Sequence, residues 1–297
     1  FQQIKSGGIL FTFSCSQVVT KEQFRNAVFT AAAQAGRKVR ILHQLHQPAD
    51  HPINIYHPEG EYLKGLVLYL RVKDFIESQQ LLQHDELYIV ALSGGSDSVA
   101  LLCMMRELGY RIIAAHCNFQ LRGAEAYNDE RFCETLCAQF NIPFHRIHFD
   151  TKTYSQLHHV SIEMAARELR YQYFENLRED VAAEGILVGH HQDDSVETIL
   201  MNLIRGTGID GLLGIQAKKG RIIRPLLCLT QNEIYDYLST KHQTYVLDQS
   251  NLIDDVVRNR IRLNIIPLLQ EINPSASQNI MTTSKRLSQV SELFQQA

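Results

Sequence analysis

Leu87-Tyr88-Ile89-Val90-Ala91-Leu92-Ser93-Gly94-Gly95-Ser96-Asp97-Ser98 is the stretch on which the reading of this chain turns. Its opening half is a short, continuous apolar run, the signature of a strand buried on both faces. Asp97–Leu108 reads as a helix. Between them, Gly94 and Gly95 let the backbone take positive φ and approach a ligand closely. The helix start offers unpaired N–H groups and the positive end of the dipole, which suits phosphate. Ser93, Ser96 and Ser98 add hydroxyl donors, and Asp97 can hold a divalent cation against phosphates. A glycine-rich turn followed by an N-cap is the plainer alternative. Strand, glycines, hydroxyls and acid coinciding favour the phosphate reading. The loop lacks the lysine of G-x-x-x-x-G-K-[ST], so it is not the usual kinase or GTPase loop.

Outward from this loop, strands and helices alternate. Arg111–His116, Pro143–Phe149 and Ile186–Gly189 read as strands; Ala124–Phe140, Ile162–Asp180 and Ser195–Ile204 read as helices. Such alternation implies an α/β fold, a doubly wound parallel sheet covered on both faces. Ligands in such sheets bind at the carboxyl ends of the strands where the strand order reverses. If Leu87–Leu92 neighbours Ile186–Gly189, then His190, His191, Asp193 and Asp194 face Ser93–Ser98 across that crevice. Before residue 73 the pattern differs: β-like runs at Ile9–Phe13, Arg40–Gln44 and Leu66–Leu70 surround one helix-like stretch, Lys21–Ala35, with Phe24, Val28 and Ala31/Ala32 at helical spacing and Gly36 as its stop. Pro274–Ala297 is a Ser/Gln-rich helix with sparse apolar residues (Ile280, Leu287, Val290, Leu293). The expected organisation is a small appended α+β segment at 1–72, a catalytic domain at 73–274 and a linker helix, 275–297, leading to a further domain.

The 297 residues are 45% hydrophobic and 21% charged, a globular composition with room for one large core or two smaller ones. A net charge of −3 excludes a generally basic nucleic-acid binder, although Arg258, Arg260 and Arg262 cluster locally. No apolar run approaches the ~18–20 residues of a membrane span. No signal peptide is visible, and a first residue of Phe1 rather than Met suggests a piece of something longer. The six cysteines (15, 103, 117, 133, 137 and 228) include no C-x-x-C pair, which suits reduced thiols in the cytosol. Cys133 and Cys137 share a helix face and read as core residues rather than ligands.

Ser93–Ser98 resembles the S-G-G-x-D-S signature of the N-type ATP pyrophosphatases, which cleave ATP between its α and β phosphates. Further stretches narrow the resemblance to the tRNA(Ile)-lysidine synthetase family. His116-Cys117-Asn118-Phe119-Gln120-Leu121-Arg122-Gly123 is similar to its H-x-N-x-x-L-R-G. Ala166-Arg167-Glu168-Leu169-Arg170-Tyr171 is similar to its A-R-x-x-R-Y. Gly189-His190-His191-Gln192-Asp193-Asp194-Ser195-Val196-Glu197-Thr198 resembles its G-H-H-x-D-D-x-x-E-T and runs on into Arg205-Gly206-Thr207-Gly208 and Gly211-Leu212-Leu213-Gly214. Arg224-Pro225-Leu226, Asp248-Gln249-Ser250-Asn251 and Arg258-Asn259-Arg260-Ile261-Arg262 resemble its R-P-L, D-x-S-N and R-N-x-I-R. The resemblance covers about residues 74 to 275 in the right order.

That resemblance implies an adenine nucleotide α-hydrolase-like, Rossmann-like fold and a cytoplasmic ligase. It implies ATP and Mg²⁺ as cofactors, lysine and the CAU-anticodon isoleucine tRNA as partners, no membrane, and leaves room for a homodimer. The wobble cytidine would be adenylated with loss of pyrophosphate, and the lysine ε-amine would then displace AMP. Carried over residue by residue, Ser93, Gly94, Gly95, Ser96, Asp97, Ser98 and His116 bind ATP, with Asp97 toward Mg²⁺. His190, Asp193, Asp194, Arg170, Arg205, Arg260 and Arg262 are catalytic or substrate-binding, and Asn118 and Arg122 serve tRNA or a loop.

Rival readings stand beside these. Asp193 and Asp194 suit Mg²⁺ or the ammonium groups of lysine, and H-H-x-D-D has a zinc reading without a third histidine or a cysteine at suitable spacing. Glu197 and Thr198 fit a helix's first turn, where acids are favoured, rather than catalysis. A solvated basic face is the alternative for each arginine, with Arg258 nearest to it. His43, His46, His51 and His57 read as structural. Gly7–Ser16, Ala49–Pro52 and Pro58–Gly65 resemble the end of the class I rRNA (cytosine-C5) methyltransferases, with Cys15 at the attacking cysteine. The S-adenosylmethionine-binding half is missing, so residues 1–72 are not expected to methylate anything. A tRNA sulfur-transferase of the same superfamily, which usually carries C-x-x-C pairs, and a non-catalytic RNA-binding pseudoenzyme are the rival functions.

Overall fold

The computed structural model describes residues 9–14, 21–35, 41–45, 64–69, 71–246 and 257–296. The chain separates into two compact units, Phe1–Ser78 and Gln79–Ala297. In the first, β1 (Ile9–Ser14), β2 (Ile41–Leu45) and β3 (Lys64–Tyr69) form an antiparallel sheet ordered β1-β3-β2. α1 (Lys21–Gln34) buries Val28 and Ala32, one turn apart on a single face. α2 (Val72–Ser78) closes the unit. Cys15, His46, His51, His57, Ala49–Pro52 and most of Pro58–Gly65 lie outside the described residues, as do Gly36 and Asp248–Asn251.

The second unit is built on β4 (Leu87–Ala91), α3 (Ser96–Glu107), β5 (Arg111–Asn118), α4 (Ala124–Phe140), β6 (Phe144–His148), α5 (Thr151–His158), α6 (Ile162–Asp180), β7 (Gly185–Leu187) and α7 (Gln192–Ile204). The sheet order is β6-β5-β4-β7-β9-β8, in which β8 is Lys218–Lys219 and β9 is Ile222–Ile223. β6, β5, β4, β7 and β9 run parallel, and β8 pairs antiparallel with β9 at the edge, so the parallel sheet expected from the sequence carries one reversed strand. Tyr88, Ile89 and Val90 are all at most 1% exposed, which requires cover on both faces because successive side chains point to opposite sides. Ile89, Ile113, Ala115 and Ile186 meet Phe174 and Leu177 of α6 on one of them.

The chain leaves β4 toward β5 and β6 on one side and returns to β7 on the other, so strand order reverses between β4 and β7. The loops after these two strands therefore lie side by side, as the alternation required. α8 (Ile209–Leu212), α9 (Gln231–Thr240), α10 (Val257–Arg260), a π-helical turn (Ile261–Ile265), α11 (Ile266–Ile272) and α12 (Ala276–Gln296) complete the unit. The expected linker helix is packed over its first half: Ile280 and Met281 join Val196, Leu200 and Ile261 in a core cluster, and Gln192 Nε2 donates to Gln278 Oε1 at 3.1 Å.

Candidate active site

The loop after β4 is organised by Ser98. Its hydroxyl accepts from the Ser93 and Gly94 amides, both at 3.2 Å, and donates to the Gly95 carbonyl at 3.0 Å. Gly94 has φ +95°, and a methyl group there would press on Val246 and Cys133 at 3.2 and 3.3 Å. Gly95, the N-cap of α3, supplies no side-chain cap. By contrast α5, α6 and α9 are capped by Asp150, Ser161 and Thr230. The first-turn amides of α3 have no intrahelical acceptor, so this end is set to receive an anion.

Gly189 brings the neighbouring loop into contact with it. A methyl group on Gly189 would lie 2.9 Å from the Asp97 carbonyl, so only glycine lets the β7 exit run against α3. Beyond it, the buried His191 ring stands among three carboxylates: Nε2 lies 3.8 Å from Asp97 and 3.5 Å from Asp194, and Nδ1 lies 3.6 Å from Asp193. Asp194 also accepts from the His191 amide at 3.0 Å. Burial pushes the Asp97 carboxyl upward, His191 opposes this, and the Asp194 charge adds to it.

His190 accepts at Nδ1 from Arg224 Nε, 3.2 Å away, which leaves the proton of the neutral ring on Nε2. Burial pushes its imidazole down to about 4; Asp194 opposes this and Arg224 reinforces it. The unfolded chain therefore binds the extra proton between the ordinary value of 6.5 and about 4, and stability is lost as pH falls through that window. The denaturant midpoint should drop between pH 7 and 5, and His190→Gln should flatten that drop. An unchanged slope in the variant would remove His190 from this role.

A second ionic cluster backs the first. Glu197, 1% exposed, takes Arg262 in a two-bond fork at 2.5 and 3.1 Å, with Arg258 Nε at 3.2 Å. Arg262 reaches Asp194 at 3.4 Å, and Arg258 donates to Thr198 Oγ1 at 2.8 Å. Burial pushes the Glu197 carboxyl up and the paired guanidinium of Arg262 works against it. Arg262 lies in the π-helical turn, a distortion that often accompanies functional sites.

A family model described as the PP-loop domain matches residues 68–269. The chain belongs to the PP-loop family. Among its relatives, a tRNA(Ile)-lysidine synthase of Bacteroides thetaiotaomicron is 52% identical over 224 residues, covering 75% of this chain and 53% of that protein. Another, from Parabacteroides distasonis, is 49% identical over 223 residues, 75% of this chain and 51% of that one. The chain thus spans about half the length of these relatives. Among solved structures, the U34-tRNA thiolase NcsA of Methanococcus maripaludis superposes with a TM-score of 0.60 at 17% identity, over 73% of this chain and 78% of that one. This likeness agrees with the adenine nucleotide α-hydrolase-like fold expected from the sequence. The PP-loop match begins at residue 68, and the methyltransferase resemblance of residues 1–72 gains no support from these comparisons.

Within the PP-loop domain the expected site residues divide. Ser93–Ser98, His190, Asp194 and Arg262 converge at the β4/β7 switch. His116 is buried, gives Nδ1–H to the Leu92 carbonyl at 2.8 Å and has its ring pushed down by burial, which makes it a neutral support for the loop's entry. Asp193 accepts from the Gln231 amide at 2.7 Å and so holds the start of α9. Asn118 is consumed by Ala126, Glu130 and Gln120, tying β5 to α4. Arg122 pairs with Asp129 at 2.7 Å. Arg170 lies over the Phe119 ring, 5.2 Å from its centroid. Arg260 is exposed, and Arg205 caps the far end of α7, about 16 Å along the helix axis from Asp194.

Arg258 is not on a solvated face, because Glu197 and Thr198 hold it. Glu197 and Arg224 are site-building residues to which the sequence reading gave no site role. Asp194 and Glu197 at i, i+3 on one helix face were a usable signal; Arg224 with His190 had none, since 34 positions separate them. The expected core role of Cys133 and Cys137 holds: both are fully buried, and burial pushes the Cys137 thiol up to about 12. Arg262→Met should cost about 2 kcal/mol by removing two charge-assisted bonds and leaving buried Glu197 with Arg258 alone. Glu197→Leu with Arg262→Met should recover most of that in a denaturant titration; a double variant no more stable than the single would refute the pairing.

Proposed function

We propose that this chain carries the catalytic domain of a tRNA(Ile)-lysidine synthetase, within residues 79–297. The observation that carries the reading is the uncapped first turn of α3, which carries Asp97, with His191 and Asp194 brought to it across the β4/β7 switch. It is supported by the PP-loop match and by the printed names of the two relatives above.

In this reading the loop amides and the hydroxyls of Ser93 and Ser96 bind the β and γ phosphates of ATP. The C2 oxygen of the wobble cytidine in the CAU anticodon attacks the α-phosphorus, and pyrophosphate leaves. The lysine ε-amine then attacks C2, loses a proton and expels AMP. Neutral His190, with its Nε2–H, donates to a phosphate or base oxygen without adding charge. Asp194 faces the lysine ammonium, which relieves the crowding of like charges around His191. Mg²⁺ fits Asp97, because this ion uses one or two carboxylates together with substrate phosphates, and burial makes that carboxyl wait for a cation. When bound it would neutralise phosphate charge. The protein's contribution is otherwise positioning and electrostatic stabilisation.

A homodimer and a cytoplasmic setting belong to the same proposal; sedimentation of the purified chain tests the first. No helix among the described residues is long and apolar enough to cross a membrane. A sulfur-transferase is disfavoured by the absence of C-x-x-C pairs, and the pseudoenzyme reading by the intact loop and its facing acids. The test is incorporation of labelled lysine into the minor isoleucine tRNA with ATP. Lysine-independent, sulfur-dependent modification of that tRNA would overturn the assignment.

A further inference from the structure

We propose that Tyr235 is a phosphate-binding residue of this site, its hydroxyl donating to the β/γ end of bound ATP or to pyrophosphate. The proposal rests on the ATP reading of the loop and adds a residue from outside its motifs.

Tyr235 lies on α9, and three contacts fix that helix relative to the loop. Asp193 accepts from the Gln231 amide at 2.7 Å, Lys241 pairs with Glu107 at the end of α3 at 2.6 Å, and the Val246 amide donates to the Gly94 carbonyl at 2.9 Å. The Tyr235 ring stacks on Tyr245, with centroids 5.9 Å apart and planes 21° from parallel. The stack sets the direction of the ring, and the phenol lies within electrostatic reach of Ser96 and Asp97 at the start of α3; Ser96 donates to Asp97 Oδ1 at 3.1 Å. The side chain is 38% exposed, so the ring is not merely filling the core. A phenol is protonated at neutral pH, hence a donor. Ser96 is the first residue of α3, so the phenol stands beside the amides that would take the phosphates. Departing pyrophosphate gains charge there. Arg262, whose charge acts on Asp97, is already committed to Glu197 and Asp194. A neutral donor that reaches a phosphate oxygen serves without adding another buried charge.

The test is Tyr235→Phe, which keeps the stack on Tyr245 and removes only the hydroxyl. The full chain is titrated calorimetrically with inorganic pyrophosphate, ATP and AMP. A lost hydrogen bond to a charged group should raise Kd for pyrophosphate and ATP roughly tenfold or more, with the AMP affinity and melting temperature unchanged. Native affinity for pyrophosphate and ATP in the variant would overturn the proposal, as would equal weakening of all three ligands. If the native chain binds neither pyrophosphate nor ATP, the phosphate-loop reading itself fails and Tyr235 falls with it.

Discussion

Gly95→Val is expected to stay folded and lose ATP binding by about 100-fold or more, the worth of two charge-assisted hydrogen bonds. Gly95 has φ −69° and ψ 163°, a conformation valine also adopts. A methyl group built there meets only the Ser93 hydroxyl, at 3.6 Å, so the empty loop has room for it. The stability loss should stay near 1 kcal/mol, the difference between glycine and a β-branched residue at an N-cap. What the side chain fills is the space in front of the α3 amides. Gly94→Ala is the contrast, because positive φ and contact with Val246 and Cys133 should lower the melting temperature as well as binding. Calorimetric ATP titration with thermal melts separates the two. Full ATP affinity in folded Gly95→Val would place the phosphates elsewhere.

Asp194→Asn is expected to abolish lysine transfer, by about 100-fold or more, without unfolding the protein. The amide oxygen of asparagine still accepts from the His191 amide, so the capping box at the start of α7 survives. Arg262 keeps its fork on Glu197. Only the negative charge among Asp97, Asp193 and His191 disappears. Asp193→Asn, whose oxygen still serves the Gln231 amide, should keep most of its activity. Lysidine formation and melting temperature measured on both variants decide the matter. Full activity in Asp194→Asn would reduce that carboxylate to a cap.

The core of the fold was legible because its signals are local. A six-residue apolar run, Leu87–Leu92, followed by two glycines and an amphipathic run leaves few alternatives. The position of His190–Asp194 opposite the loop followed from strand order alone, and β4 does pair with β7. β8 and β9, two residues each, are too short to leave a periodic trace. α9 went unseen although Thr230 and Glu233 form a capping box, a signal present in the sequence and not used. The Arg262–Glu197 fork spans 65 positions and has no local signature. Arg205 was assigned by adjacency to a motif, and a helix's length carries it away from the loop. Asn118 and Asp193 show the converse: motif residues whose hydrogen bonds are already committed to holding neighbouring elements in place.

The most direct measurement is ATP–pyrophosphate exchange by the native chain with the minor isoleucine tRNA, in the absence of lysine. Base adenylation at Ser93–Ser98 predicts exchange that requires this tRNA and vanishes in Gly95→Val. Exchange that ignores the tRNA, or survives in Gly95→Val, would contradict it.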